Sequence, residues 1–509
     1  MNEEDYQRRI AELEALLKER DVRIAYLEEQ FRIAQQKQFG KSTEGHPGQG
    51  ELFNEAEELT VESESPEQEA ISYTRNKSKR KPLPEDLPRE VIIHDIPEDE
   101  KVCDCCAGTL HCIGEDKSEK LQFIPAQVKV IEHLRPKYAC RACEKEGISN
   151  TVKQAPVPQS VIPKGYATPS LLSQIITSKY QYGLPLYRQE GMFKQHGIEL
   201  SRKTMADWII RCAALFKPLY DRLHQHLLQQ PVIQADETTL KVVDADKSTS
   251  YMWLYATGAD SPQGVINGSA IPNIVLYDYH NSRAGQCAVD FLAGYHGYLQ
   301  VDGYQGYEQT QATLVGCWAH ARRKFMEAKK GAGSKGSGKA DWALNHIQKL
   351  YRVETQLKQE TAVTRYVQRQ EKSLPLLNQL ETWLIKSAQQ VLPKTKLGEA
   401  IQYCLNQWHK LVRYTLDGHL AIDNNRAERA IKPFVIGRKN WLFSQTATGA
   451  NASAILYSII ETAKANDLNV FEYVMVSLEQ LSKPEVDIEQ LLPWQFAKRR
   501  KKPATAESA

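Results

Sequence analysis

Apolar residues at positions 10–34 repeat every seven residues. Ile10, Leu17, Ile24 and Phe31 form one seam; Leu13, Leu27 and Ala34 form the second, interrupted by Arg20. Charged residues fill the remaining positions. The pattern predicts a coiled coil over residues 1–44 and association with a second copy, although one amphipathic helix packed on its own domain has the same pattern. Periodicity then stops. Residues 45–90 read as a linker, with GHPGQG, eight glutamates between 51 and 69, the basic run RNKSKRK at 75–81 and three prolines in KPLPEDLPRE. Such a segment has too little apolar surface to build a core.

Strict alternation returns in LQFIPAQVKVIEHLRPKYAC, 121–140, and predicts strands inside a region spanning 91–160. The period lengthens again in 161–225. Pro185 suits a first helical turn, Gly197 a turn, and Ser201 an N-cap. Behind that cap, Met205, Trp208, Ile209, Cys212, Leu215 and Phe216 form a helical stripe. Helix, glycine turn and capped helix outline a helix-turn-helix. It would place Arg202, Lys203 and Thr204 at the start of the second helix, where DNA is usually contacted. Structural three-helix bundles share this outline.

From residue 226 to 329 the pattern becomes mixed. PVIQADETTLKVV, SYMWLYATG and NIVLYDYH read as strands, QCAVDFLAGY as a helix, GYLQVDGYQGY as a strand, and TLVGCWAHARRKFMEA as a short strand entering a basic helix. The order is three strands, a helix, a strand, a helix and another strand, which is that of a ribonuclease-H-like fold. Residues 330–418 read as a helical insertion with Ala343, Ile347, Leu350, Tyr351 and Leu357 as its stripe. The core then resumes over 419–465, and 466–509 form a C-terminal segment ending in the basic tail KRRKK. The fold class expected is multidomain α+β: coiled coil, zinc ribbon, helix-turn-helix, and a ribonuclease-H-like core with a helical insertion.

Composition changes the picture in two places. The net charge is +2, so the total charge does not point to a nucleic-acid partner, whereas the local basic runs do. There is no apolar segment behind a basic start and no run long enough to span a bilayer. A cytoplasmic, nucleoid-associated protein without membrane contact is expected. Ten cysteines in that compartment read as thiols or metal ligands. Cys103 and Cys106, then Cys140 and Cys143, form two C-x2-C knuckles suited to tetrahedral Zn²⁺, with Cys105 an alternative ligand and Cys112 a bystander.

Three acids carry the chemistry. Asp236 ends the first strand of the core and Asp302 the fourth, so in this fold they converge. Glu428 follows, 126 positions after Asp302 (428 − 302), among Arg426, Arg429, Lys432, Arg438 and Lys439. Each acid alone has a plain reading, as a turn residue or as a capping box from Asn425 to Glu428. Together they suit two Mg²⁺ or Mn²⁺ ions at an in-line phosphoryl transfer. Arg429, Lys432, Arg438 and Lys439 would then hold flanking phosphates. Pro433 should end or kink the helix carrying Glu428. His320, Arg322 and Arg323 are assigned to DNA contact. CWAH, 317–320, looks like half a metal site without a second pair nearby. GSKGSGKA, 333–340, nearly matches a phosphate loop but lacks its final Ser/Thr and its preceding strand, so it reads as a flexible basic loop.

Taken together these motifs resemble the transposases of the sixty-six-type bacterial insertion sequences, a branch of the acid-triad (Asp, Asp, Glu) group. The resemblance runs through QFGKSTE, KRKPLPEDLPRE, RPKYACRACE, ADET, QVDGYQGY, CWAHARRKF and DNNRAERAIKPFVIGRKNWLF. It implies Asp236, Asp302 and Glu428 as the metal-binding triad, a helical insertion before the glutamate, double-stranded DNA as partner, and accessory transposition proteins. The first knuckle departs from the family's C-P-x-C-G, reading CDCCA. Two rival readings are a zinc-dependent DNA-binding protein with an inactive core and a repair nuclease.

Overall fold

The computed structural model describes residues 128–138 and 153–501, apart from residues 248, 258–264, 267–268, 271 and 333–337, together with scattered positions between 7 and 31. The described positions in that first stretch are all helical, and Leu13, Leu17, Ile24, Leu27 and Phe31 are exposed. Cys103, Cys105, Cys106, Cys112, Cys140 and Cys143 lie outside the described residues, as do the 45–90 linker and most of the GSKGSGKA loop.

The chain forms two compact units, residues 64–155 and the remainder. In the smaller one, β1 (Lys137–Tyr138) pairs antiparallel with β2 (Lys153–Gln154), and Arg135 donates to the Ala155 carbonyl at 2.9 Å. The strand predicted across 121–140 shrinks here. Residues 128–136 are outside any strand, with Val130 95% and Leu134 79% exposed. Alternation makes a strand only where another layer covers its apolar face.

The larger unit opens with α1 (Pro169–Tyr180), α2 (Leu186–Gln195) and α3 (Arg202–Leu228). Ser201 caps α3 by accepting the Thr204 N–H at 3.1 Å. The stripe on α3 continues past Phe216 through Leu219, Leu223 and Leu227, all fully buried. The helix therefore runs across residue 225, and Tyr220 donates to the Tyr277 carbonyl of the sheet at 2.9 Å. These helices share one hydrophobic cluster with the sheet.

The sheet has the order β7-β4-β3-β8-β9, with β3 Val232–Leu240, β4 Ser250–Thr257, β7 Ile274–His280, β8 Tyr298–Gln300 and β9 Thr313–Val315. A small hairpin, β5 (Val265–Ile266) with β6 (Ser269–Ala270), stands between β4 and β7, and α4 (Gly285–Phe291) follows β7. β4 is antiparallel to both neighbours; β8 and β9 run parallel to β3. The unbroken apolar runs of β4 and β7 are buried on both faces, as expected where helices cover a sheet. Between β8 and β9, where a helix was predicted, there is only one 3-10 turn, Gln305–Gln309. Gly303, at φ 122°, turns the chain in a way an L side chain resists.

A second cluster gathers α5 (Trp318–Ala332), α6 (Gly338–Gln356), α8 (Leu374–Ala388) and α9 (Lys396–Leu411). α7 (Ala362–Gln368) and a π turn at Arg369–Ser373 lie between α6 and α8. The predicted stripe on α6 is buried. Arg369, fully buried, donates to Glu354 at 2.6 and 2.9 Å and to the carbonyls of Tyr414, Asp417 and Leu420 at 2.7, 2.8 and 2.9 Å. It pins the segment through which the chain returns to the sheet.

α10 (Asn425–Trp441) runs through Pro433, so of the predicted end or kink the end does not occur. Proline removes the N–H that would bond the Arg429 carbonyl; Ile431 and Phe434, buried on either side, and the Tyr277 hydroxyl donated to the Ala430 carbonyl hold this turn against β7. α11 (Ala447–Ala465) lies along β7. Thr462 accepts the Val275 N–H at 3.0 Å and donates to its carbonyl at 2.9 Å, and Ser458 accepts the Tyr277 N–H at 2.7 Å. Hydroxyls thus occupy an edge that would otherwise pair with another chain. α12 (Val470–Leu481) and α13 (Pro493–Lys501) complete the unit. Among the described residues no helix is long and apolar enough to cross a membrane.

Candidate active site

The register of β3 with β8 pairs Gln234 with Gln300. Asp236 lies within β3, which continues to Leu240 rather than ending at this acid as predicted, and Asp302 lies two residues past the end of β8; the Asp302 charge acts on Asp236. The buried glutamines lock that register: Gln234 Nε2 donates to Gln300 Oε1 at 3.0 Å, and Gln300 Nε2 donates to the Ala421 carbonyl at 2.7 Å. Asp302 is fixed from both ends. The Tyr304 N–H donates to Oδ1 at 2.8 Å, and the Tyr403 hydroxyl donates to the main-chain carbonyl at 2.5 Å.

Glu428 arrives on the first turn of α10. Asn424 places it. This residue is fully buried, and its Nδ2 donates to the Ala235 carbonyl, next to Asp236, at 2.8 Å. Its N–H donates to Cys317 Sγ at 3.2 Å, and its carbonyl accepts the Glu428 N–H at 3.2 Å. Asn424, not Asn425, is the cap residue, and its side chain goes to the strand rather than to the helix. A capping box therefore does not occupy Glu428.

The Glu428 side chain is 3% exposed. Its Oε1 lies 3.5 Å from His320 Nδ1 and its Oε2 3.5 Å from Arg323, ion-pair distances rather than hydrogen bonds. Neither oxygen has a hydrogen-bond partner among the described residues. Burial pushes its carboxyl up to about 7, Arg323 opposes, and Asp423 and Asp302 add to the rise. Burial likewise lifts Asp236 well above the usual carboxylate range, reinforced by Glu237, Asp302 and Glu428. Asp236 accepts the Glu237 N–H at 2.8 Å, so Glu428 alone of the three acids is without a donor among the described residues; a buried carboxylate of that kind beside two like charges favours a bound proton or a bound cation. An all-oxygen set with an unpartnered buried carboxylate fits a hard divalent ion.

Sequence reasoning missed Glu237. Its side chain is also 3% exposed, accepting from the Tyr307 hydroxyl at 2.6 Å and from Arg283 Nε at 2.9 Å. Arg283 lies 4.0 Å over the Tyr304 ring. This clamp ties the turn after Asp302 to the strand of Asp236. The available signal was the second acid in ADET. The other omission is the partner of CWAH: Cys317 Sγ, a His320 ring nitrogen and a Glu428 oxygen lie within 4.8 Å of one another.

The basic candidates divide. Arg202 and Lys203 are exposed at the start of α3, with Thr204 half-buried. His320 and Arg323 face Glu428. Arg322 is only 7% exposed and its charge acts on Tyr351, which places it in the scaffold. Arg438 donates to Thr239 Oγ1 at 3.0 Å and Thr238 Oγ1 at 3.3 Å, and Arg426 donates to the Thr257 carbonyl at 2.6 Å, so both tie α10 to the sheet. Arg429 and Lys432 are half-buried and Lys439 is exposed. Trp318 is fully buried and donates to the Leu411 carbonyl at 2.9 Å, which makes it a core residue.

Comparison with known proteins points one way. Residues 164–452 match the model described as Transposase IS66 family, residues 100–144 the zinc-finger binding domain of transposase IS66, residues 26–92 Transposase C of IS166 homeodomain, and residues 458–494 the IS66 C-terminal element. The zinc-finger match spans Cys103, Cys106, Cys140 and Cys143 and supports a structural zinc. Uncharacterized protein y4hP of Sinorhizobium fredii is 34% identical over 445 residues, covering 84% of this chain and 78% of that protein. Uncharacterized protein y4qI of the same organism is 33% identical over 514 residues, covering 96% and 92%. No solved structure matches. The chain belongs to the transposase IS66 family.

Proposed function

We propose that this IS66-family transposase cuts a DNA strand at each end of its element and joins the freed 3′-hydroxyl to target DNA, using Asp236, Asp302 and Glu428. One observation carries the reading: Asp236, on β3, and Asp302, just past the neighbouring parallel strand, act on a buried glutamate whose oxygens have no hydrogen-bond partner among the described residues. The strand order and directions are those expected of a ribonuclease-H-like core, which supports the same reading.

Asp236, Asp302 and Glu428 would hold two Mg²⁺ or Mn²⁺ ions, which when bound neutralise charge on the attacking and leaving oxygens of an in-line displacement. The protein supplies position. Asn424 fixes the glutamate helix against the strand of Asp236, and Tyr403 and Tyr304 fix Asp302. Arg323 carries positive charge beside the triad, placed to take a phosphate oxygen. His320 lines the same edge. Arg202, Lys203 and Thr204, with Arg429, Lys432 and Lys439, would hold flanking duplex, positioning rather than reading it. The knuckle cysteines would bind zinc, the N-terminal heptads would pair two copies and hence two ends, and accessory proteins would complete the assembly in the bacterial cytoplasm.

The test is mobilisation of a marker placed between the terminal repeats flanking this gene, with accessory proteins supplied. Wild type should move it, and Glu428→Gln should not, at equal protein level and equal end binding. Equal movement by both removes Glu428 from the mechanism. No movement by either favours a DNA-binding relic.

A further inference from the structure

Cys317 joins the end of β9 to the start of α5. Its thiol is fully buried and accepts the Asn424 N–H at 3.2 Å and the His320 backbone N–H. His320 follows on the first turn of α5. Its Nδ1 has no hydrogen-bond partner among the described residues and lies 3.5 Å from Glu428 Oε1. Arg323 sits on the other oxygen, which leaves Oε1 turned to the histidine. Sulfur, imidazole nitrogen and carboxylate oxygen are thus already within 4.8 Å of one another, and two of the three have unpartnered buried polar atoms.

This donor set differs in kind from the acid cluster. A thiolate and an imidazole select zinc-like transition metals, whereas Mg²⁺ prefers oxygen alone. We propose that Cys317, His320 and Glu428 form a transition-metal site of the Zn²⁺ class that overlaps the acid triad by sharing Glu428. Thiolate and carboxylate would balance the two positive charges, with the thiol proton released to solvent as the metal binds. Burial and the nearby Asp423 and Glu428 hold the thiol well above its usual range, with the backbone N–H donors opposing, so the thiolate needs the bound cation. Three protein ligands leave a fourth position open for water or phosphate. An ion held there draws Glu428 from the two aspartates, so Zn²⁺ would compete with the catalytic cation. Binding rests on these three side chains; only the inhibition rests on the transposase reading.

The probe is Co²⁺, titrated into the full chain after its knuckle cysteines have been filled with Zn²⁺. Wild type and Cys317→Ser are compared; serine keeps a small acceptor for the same N–H donors. Wild type should bind one more Co²⁺, and the difference spectrum should show a thiolate-to-cobalt charge-transfer band. His320→Gln should weaken that Co²⁺ by about 10-fold or more, and it also covers the case in which the serine variant fails to fold. Any exchange at the knuckles appears equally in all three proteins and cancels. Equal stoichiometry and superimposable spectra overturn the site. In a second arm, cleavage at fixed Mg²⁺ is followed as Zn²⁺ is added, each protein normalised to its own zinc-free rate. Wild type should be inhibited and Cys317→Ser spared. The extra cobalt without inhibition would keep the metal site and remove its link to the proposed catalysis.

Discussion

Two regions beside the candidate centre each bury a glutamate side chain to 3% exposure, yet they treat it in opposite ways. Around Glu237 both carboxylate oxygens are engaged: Tyr307 and Arg283 donate to them, and Arg283 stacks on Tyr304. Around Glu428 the charges stand off at 3.5 Å and, among the described residues, no hydrogen-bond donor reaches the oxygens. A buried carboxylate with its hydrogen bonds made is a clamp. One without them is a standing cost, which proteins retain where a ligand relieves it. Under the proposed function, the contrast separates the glutamate that shapes the site from the one that would act in it.

The sharpest way to break that contrast is Glu428→Gln. Strand cleavage should fall on the order of 10³-fold, while end binding and the urea midpoint stay the same or the midpoint rises. A fall in the midpoint would put Glu428 in the scaffold with Glu237. Asn424→Ala comes next. It loses the bond to Ala235 that sets the helix against the strand, and cleavage at saturating Mg²⁺ should drop about 10²-fold through misplacement. Glu237→Ala should act mainly on stability. It strands a buried Tyr307 hydroxyl, costing about 1–3 kcal/mol in urea unfolding, and Glu237→Gln should recover part of the loss. If Glu237→Ala proves neutral in the unfolding curve, the clamp has been misread. The smallest change is at the exposed start of α3. Arg202→Ala and Lys203→Ala should each lower the salt slope of end binding by roughly 0.9, leaving cleavage of bound ends intact.

What the sequence made legible was local. Ser201 announced the start of α3, the stripe from Ala343 to Tyr351 announced a core helix, and ADET and QVDG announced acids on or beside strands, although β3 runs past Asp236 to Leu240 and β8 stops before Asp302. Periodicity and caps report on neighbours within a turn or two. What stayed hidden depended on distant partners. Cys317 and Glu428 are 111 positions apart (428 − 317), so CWAH looked incomplete until α10 was placed. Pro433 looked like a breaker because the support from Tyr277 comes from another strand. Glu237 looked like a bystander because its donors come from residues 283 and 307. The unbroken α3 was misjudged for the same reason: nothing before residue 225 shows that the rest of its stripe packs on the sheet.

The long interval before Glu428 also puts the site on a clock. Asp236 and Asp302 leave the ribosome first, and 126 residues (428 − 302) separate the second aspartate from the glutamate. At bacterial-scale elongation of about 5–20 residues per second, the nascent chain carries two acids without the third for roughly 6–25 s. In that time the insertion whose Arg369 pins the returning segment is made, and it can fold before Glu428 emerges. Under the proposed function, the third acid is therefore made after the insertion helices that aim it.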